Sequence, residues 1–220
     1  MKQYKGIWLP AGETHLQEHI DLSPLVDNRG TYQLRKLNKA MKYVRGSQHT
    51  ALDIGAHVGL WTRILLKLFT EVVAFEPVQE HVDCLVKNLK WPTTSNLTLH
   101  QVALGAGSGV VDMAIKKGNS GMTHVQGSGT QVPMTTLDSY RLDNIDLIKI
   151  DVEGFERNVV EGARETILRN KPIVICEHKG HDLSHFGKDA DAIGFLVELG
   201  MERKDLISGD YIMGWPDGAF

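Results

Sequence analysis

The chain has 220 residues, of which 42% are hydrophobic and 23% charged, with a formal net charge of −3. That composition fits one globular domain and excludes disordered, collagenous and fibrous classes. The slightly acidic balance gives no global attraction to nucleic acid or to an anionic membrane.

Apolar runs are short and interrupted, far below the ~20 residues of a membrane-spanning helix. The opening MKQYKGIWLPAGETHLQEH lacks the apolar stretch of a secretory signal. Cys84 and Cys176 sit in apolar patterns and read as buried thiols of a reducing compartment. The expectation is a cytoplasmic protein with no membrane association. Residues 1–220 read as a single domain, with 1–46 as an N-terminal arm and helix.

Residues 1–30 show turn formers and little periodicity, which predicts an irregular arm. From Thr31, Leu34, Leu37, Met41 and Val44 recur at helical steps, with Gly46 as a cap. The opposite face carries Arg35, Lys36, Lys39, Lys42 and Arg45 and reads as solvated. Ala51 to Ile54 is a strand, Gly55 to Gly59 a turn, and Leu60 to Leu68 a helix. Val72 to Phe75 is a second strand, followed by a helix striped by Val82, Leu85, Val86 and Leu89. Leu97 to Leu104 reads as a third strand. The Gly- and Ser-rich stretch 105–132 interrupts the alternation and reads as an inserted hairpin. Leu147 to Ile150 is then a strand, Phe155 to Ile167 a helix, Ile173 to Cys176 a strand and Ala192 to Leu199 a helix. Met201 to Trp215 forms two strands around Ser208-Gly209-Asp210. Repeated βα units imply an α/β fold, a doubly wound and mostly parallel Rossmann-like sheet, here closed by an antiparallel C-terminal hairpin.

Ligands of such sheets bind outside the carboxyl ends of the strands. The first strand ends in Asp53-Ile54-Gly55-Ala56-His57-Val58-Gly59, where the glycines admit a ligand to the backbone and the helix start offers free N–H groups. The second strand ends in Glu76-Pro77, roughly 20 residues on, where a carboxylate typically accepts hydrogen bonds from a ribose. A dinucleotide fingerprint has a central glycine for the pyrophosphate, and here His57 stands in that place. The negative Asp53 suits a cationic ligand better than a pyrophosphate. S-adenosylmethionine (SAM), with its sulfonium and ammonium groups and no phosphate, is the cofactor that fits.

ALDIGAHVGLWT, VVAFEPVQEH, VPMTTLDSYRLDNIDLIKIDVEGFE and IVICEH together resemble the FkbM family of SAM-dependent methyltransferases. The resemblance spans roughly residues 50–180 and implies a class I methyltransferase fold that O-methylates sugars or natural-product hydroxyls. His57 departs from the Asn more often found there. By the same resemblance, Gln101, Val102 and Ala103 border the adenine, and Asn119-Ser120 matches an Asn-Ser-Gly element beside the cofactor.

The fourth and fifth strands end in Asp151-Val152-Glu153 and Glu177-His178, where donor and acceptor should meet. Asp151 or His178 would serve as base, and Glu153 and Glu177 would orient a small-molecule or glycan hydroxyl. His15-Leu16-Gln17-Glu18-His19 matches a zinc pattern but lies in an arm without helical support. His178, His181, Asp182 and His185 read as cleft or surface residues, so no metal is assigned. Two rival functions remain. One is RNA ribose 2'-O-methylation through Lys36 or Lys39, Asp151, Lys179 and Glu202, and the other is a non-catalytic SAM-binding module. The sequence leaves the oligomeric state open.

Overall fold

The computed structural model describes residues 1–22, 33–177 and 191–218. Thirteen strands are named in chain order: β1 (Lys2–Tyr4), β2 (Ile7–Leu9), β3 (Thr50–Ile54), β4 (Glu71–Phe75), β5 (Leu97–His100), β6 (Ala103–Leu104), β7 (Gly109–Ala114), β8 (His124–Val125), β9 (Thr130–Thr135), β10 (Ile145–Ile150), β11 (Ile173–Glu177), β12 (Glu202–Ile207) and β13 (Asp210–Gly214). The helices are α1 (His15–Leu22), α2 (Leu34–Ala40), α3 (Leu60–Leu65), α4 (Gln79–Leu89), α5 (Glu156–Glu161), α6 (Arg164–Asn170) and α7 (Ala192–Glu198). No helix among the described residues is long and apolar enough to cross a membrane.

The main sheet has seven strands in the order β12-β13-β11-β10-β3-β4-β5. Five are parallel, and β13 enters antiparallel between β11 and β12, as the C-terminal hairpin predicts. Because side chains alternate along each strand, residues of even and odd number face opposite helical layers. Leu52, Ile54, Ile148, Ile150 and Val174 pack under α5, α6 and α7. Ala51, Val72, Leu147 and Ile175 pack under α2, α3 and α4. Both faces are covered, which is why these strands read as nearly continuous apolar runs. Cys84 and Cys176 are buried free thiols, and burial pushes Cys84 up to about 12 and Cys176 up as well.

Four expectations need correction. The arm is ordered where described: β1 and β2 form a hairpin turning on Lys5 and Gly6, and α1 follows. Strands of three residues are too short to display a period, which hid them. The basic helix is shorter than its pattern, ending at Ala40 well before Gly46. Its face is not simply solvated, since Lys36 Nζ lies 2.8 Å from Asp210 Oδ2 and Lys39 Nζ 2.5 Å from Asp205 Oδ2. The expected third strand breaks after His100, and its end joins a second sheet, β6-β9-β7-β8, larger than a hairpin. That sheet buries Ala103, Met113 and Val132 against Val78.

The helix expected from Phe155 to Ile167 is two helices meeting at Gly162-Ala163. A Cβ on Gly162 would lie 1.9 Å from the Gly105 carbonyl oxygen, so the break lets the helix pair approach the strand that leads into the second sheet. Gly162→Ala is expected to destabilise the protein by about 1–3 kcal/mol, the usual cost of overpacking against atoms that cannot yield. A lower urea midpoint with an unchanged slope would show it.

Candidate active site

The strand-to-helix turn 55–59 sits at the carboxyl edge of the sheet and is held there by Gly55 and Ala56, whose N–H groups both donate to the Phe75 carbonyl at 3.0 Å. Gly55 has φ +79°, and a Cβ on it would lie 2.0 Å from the Asp151 carbonyl oxygen. Any side chain there would push the turn off the end of β10. Above it lies a cavity of about 430 Å3, inside the range of small-molecule sites.

Most of the residues expected from sequence line this cavity. Gly55, Ala56 and His57 contribute the turn, and Glu76 and Pro77 the end of β4. Val102 and Ala103 come from the start of β6, and Asn119 and Ser120 from the inserted segment. Asp151, Glu153 and Glu177 supply the acidic side. Three expected cofactor residues do not line it. Asp53 is fully buried below the floor, taking the Thr62 hydroxyl at 2.6 Å and facing Lys149 Nζ at 3.4 Å. Gly59, with φ +83°, faces away, and its Cβ would press on Leu85 at 3.0 Å, so it serves the packing of α4 against the turn. Gln101 is exposed and donates to Gln79 Oε1 at 2.9 Å. His178, with Lys179, His181, Asp182 and His185, lies outside the described residues.

Glu76 is almost fully buried. Its Oε1 accepts from the Val78 N–H at 3.0 Å and meets His81 Nδ1 at 3.1 Å, while Oε2 accepts the His57 N–H at 2.8 Å. Burial works to raise this carboxyl, but the bond from His81, the nearby imidazoles and the Val78 N–H outweigh it and hold it below the usual range. His81 Nδ1 therefore carries the proton toward Glu76. Its Nε2 is buried with no hydrogen-bond partner. His57 is pushed down to about 3, first by burial and then by the adjacent His81 ring, 4.5 Å away edge to face.

The acidic side is arranged around a lysine. Lys149 Nζ donates to the Gly55 carbonyl at 3.1 Å and lies 3.5 Å from Asp151 Oδ2. Glu156 accepts from the N–H groups of Val152 and Gly154 at 3.0 and 3.1 Å, fixing the loop in which Glu153 takes φ +56°. Burial raises the Glu156 carboxyl despite these bonds. One oxygen each from Asp151, Glu153 and Glu177 lies within 4.8 Å of the others, the one such group of three among the described residues. That spacing can hold a hydroxyl and, equally, a divalent cation. The His15-to-His19 zinc pattern forms no such group, and its rings meet edge to face at 4.6 Å on α1.

Sequence reasoning missed Lys149, His81 and Glu13. Lys149 could have been found, since a lysine inside an apolar parallel strand needs a buried partner. Glu13 reaches Ser120 across 107 positions and left no local signal.

The FkbM methyltransferase domain model matches residues 53–202, more than two thirds of the chain. The chain belongs to the FkbM methyltransferase family. It is similar in fold to a methyltransferase FkbM from Methylobacillus flagellatus KT, with 18% identity and a TM-score of 0.55 over 78% of this chain and 44% of that one. It thus spans less than half of that relative's length. A precorrin-6y C5,15-methyltransferase from Geobacter metallireducens GS-15 is also similar, with 16% identity and a TM-score of 0.52 over 85% of this chain and 90% of that one. No curated protein matches the sequence. The domain that the family model describes is a methyltransferase domain, and S-adenosylmethionine is the methyl donor expected from the sequence.

The residues present fit that donor. Glu76 lines the cavity at the end of β4, and its Oε2 receives a single bond, so it keeps acceptor capacity for a ribose hydroxyl.

The low pKa of His57 predicts acid sensitivity. Its folded value of about 3 lies below the ordinary 6.5, so between these limits the unfolded chain binds a proton that the folded one does not. Stability is then expected to fall as pH drops from about 6.5 toward 3, and to be regained as pH rises. Urea midpoints across that range should fall less steeply in His57→Asn than in the wild type.

Proposed function

We propose that the protein O-methylates a hydroxyl of a sugar, glycan or small natural product. The observation that carries this reading is that Asp151, Glu153 and Glu177 line the same cavity as the glycine turn and Glu76. When bound, SAM supplies an electrophilic methyl group. Glu76 holds the ribose end, and the turn 55–57 brings main-chain groups against the remainder. A sugar hydroxyl is a poor nucleophile and must lose its proton as the methyl transfers. A carboxylate in hydrogen-bond reach accepts it, a contribution of about 10²–10⁴-fold. Asp151 is suited to this, because it follows the end of β10 at the cavity and is held 3.5 Å from the Lys149 ammonium. Glu153 and Glu177 orient the acceptor, and alignment supplies much of the remaining acceleration. His178, next in the chain after Glu177, is the second candidate base.

The RNA reading has less support. Lys36 and Lys39 are committed to Asp210 and Asp205, and Glu202 pairs with Lys204 at 2.8 Å on the edge strand β12. Three carboxylates beside the reaction point also repel a phosphodiester. A pure binding module would have no use for them.

Calorimetry should show binding of S-adenosylhomocysteine and none of NAD, and Glu76→Ala should lose roughly 1.5–3 kcal/mol of that affinity, as for charge-assisted hydrogen bonds. Labelled methyl should pass from SAM to small glycans or hydroxylated metabolites, detected by mass spectrometry, and not to RNA. With the acceptor so found, Asp151→Asn should cut turnover by about 10²-fold or more and leave S-adenosylhomocysteine affinity near the wild-type value. Normal turnover in that variant would remove Asp151 as base.

A further inference from the structure

The arm and the inserted segment meet the glycine turn through one buried carboxylate. Glu13 is 0% exposed. Its Oε1 accepts the Leu16 N–H at 2.8 Å, and its Oε2 accepts both the Ser120 N–H, at 2.6 Å, and the Ser120 hydroxyl. Ser120 Oγ in turn lies 2.8 Å from His57 Nε2. Main-chain bonds run alongside, with the N–H groups of Thr14 and His15 both donating to the Gly118 carbonyl at 3.0 and 2.9 Å.

Only one arrangement of protons satisfies this chain. Burial works to raise the Glu13 carboxyl, but the Ser120 hydroxyl and the two N–H donors hold it below the usual range. It is therefore ionised at neutral pH and can only accept. The Ser120 hydroxyl has a single proton and gives it to Glu13. Its oxygen can then only accept from His57, so the ring proton of that neutral imidazole sits on Nε2. Nδ1 is left as a bare lone pair, with no hydrogen bond to it among the described residues, on a side chain that lines the cavity.

We propose that Glu13 is a positioning residue: through the Ser120 hydroxyl it fixes the His57 tautomer, so that Nδ1 presents an acceptor to a hydroxyl or N–H group of bound SAM. The ligand in this statement rests on the donor reading above, whereas the relay itself does not. Glu13→Ala removes the acceptor. The Ser120 hydroxyl proton is then free to turn to His57 Nε2 and the ring proton to move to Nδ1, which then opposes a donor. Ser120→Ala removes the hydroxyl alone and keeps the bonds from the main chain to Glu13, so the arm stays docked.

The test is ¹⁵N NMR of the histidine ring nitrogens in the whole, ligand-free protein, with calorimetry of S-adenosylhomocysteine binding beside it. Wild-type His57 should be protonated at Nε2 only. Glu13→Ala should gain the Nδ1-protonated form and bind S-adenosylhomocysteine about three- to tenfold more weakly, the scale of one neutral hydrogen bond. Ser120→Ala should show a mixture of tautomers. Nδ1 protonation in the wild type, or an unchanged tautomer in both variants, overturns the proposal even where S-adenosylhomocysteine binds. If the tautomer switches as expected but the wild type does not bind S-adenosylhomocysteine, the donor reading fails and the relay stands.

Discussion

A carboxylate with no exposure to solvent lies in the middle of the main sheet, and the strand beside it supplies the cation that makes this tolerable. Asp53 and Lys149 are register partners on β3 and β10, so their side chains emerge side by side on one face. An isolated ionised carboxylate at that depth would cost many kcal/mol, and a slip of one residue would send one of the two charges to the opposite face. The ammonium also grips the Gly55 carbonyl and lies close to Asp151. One lysine therefore ties together the strand register, the seat of the glycine turn and Asp151 on the acidic side of the cavity.

Around this centre, the cavity is closed by parts that are not in the main sheet. Leu9, Leu16 and Ile20 of the arm pack with Val58, Leu60 and Cys84, which brings α1 across the glycine turn. Asn88 reinforces the contact, bonding the Trp8 main chain on one side and the Val58 carbonyl on the other. Gln33, just before α2, accepts the indole N–H of Trp61 at 2.8 Å. The sheet supplies the chemistry, and the arm and the inserted segment decide the shape and access of the space above it.

What could be read from the sequence divides along the range of the interactions. The alternating units, the Gly55 turn and Glu76 were legible because each is a local pattern placed by one rule about strand ends. Asp53 was read as a cofactor contact from its charge, and the structure turns it inward because the partner charge lies 96 positions away on another strand. Gly59 was assigned as a turn glycine and Gln101 through the family resemblance, and only packing shows one against Leu85 and the other in solvent. The second sheet was read only as an inserted hairpin, and the arm as irregular, for a different reason. Their strands run two to six residues, too short for a period to accumulate into a signal.

The ties between α2 and the C-terminal hairpin carry a consequence for how the molecule comes together during synthesis. Lys36 finds its buried partner at Asp210 and Lys39 finds Asp205, separations that span most of the chain. Until a ribosome has passed those positions, an early segment holds cations with nowhere to go and an apolar stripe, Leu37 and Ala40, without the Ile212 surface it will cover. Closing so large a loop has a high entropic cost before any contact repays it. The ion pairs of α2 therefore form only once the C-terminal hairpin has been made, after α1 and most of the sheet.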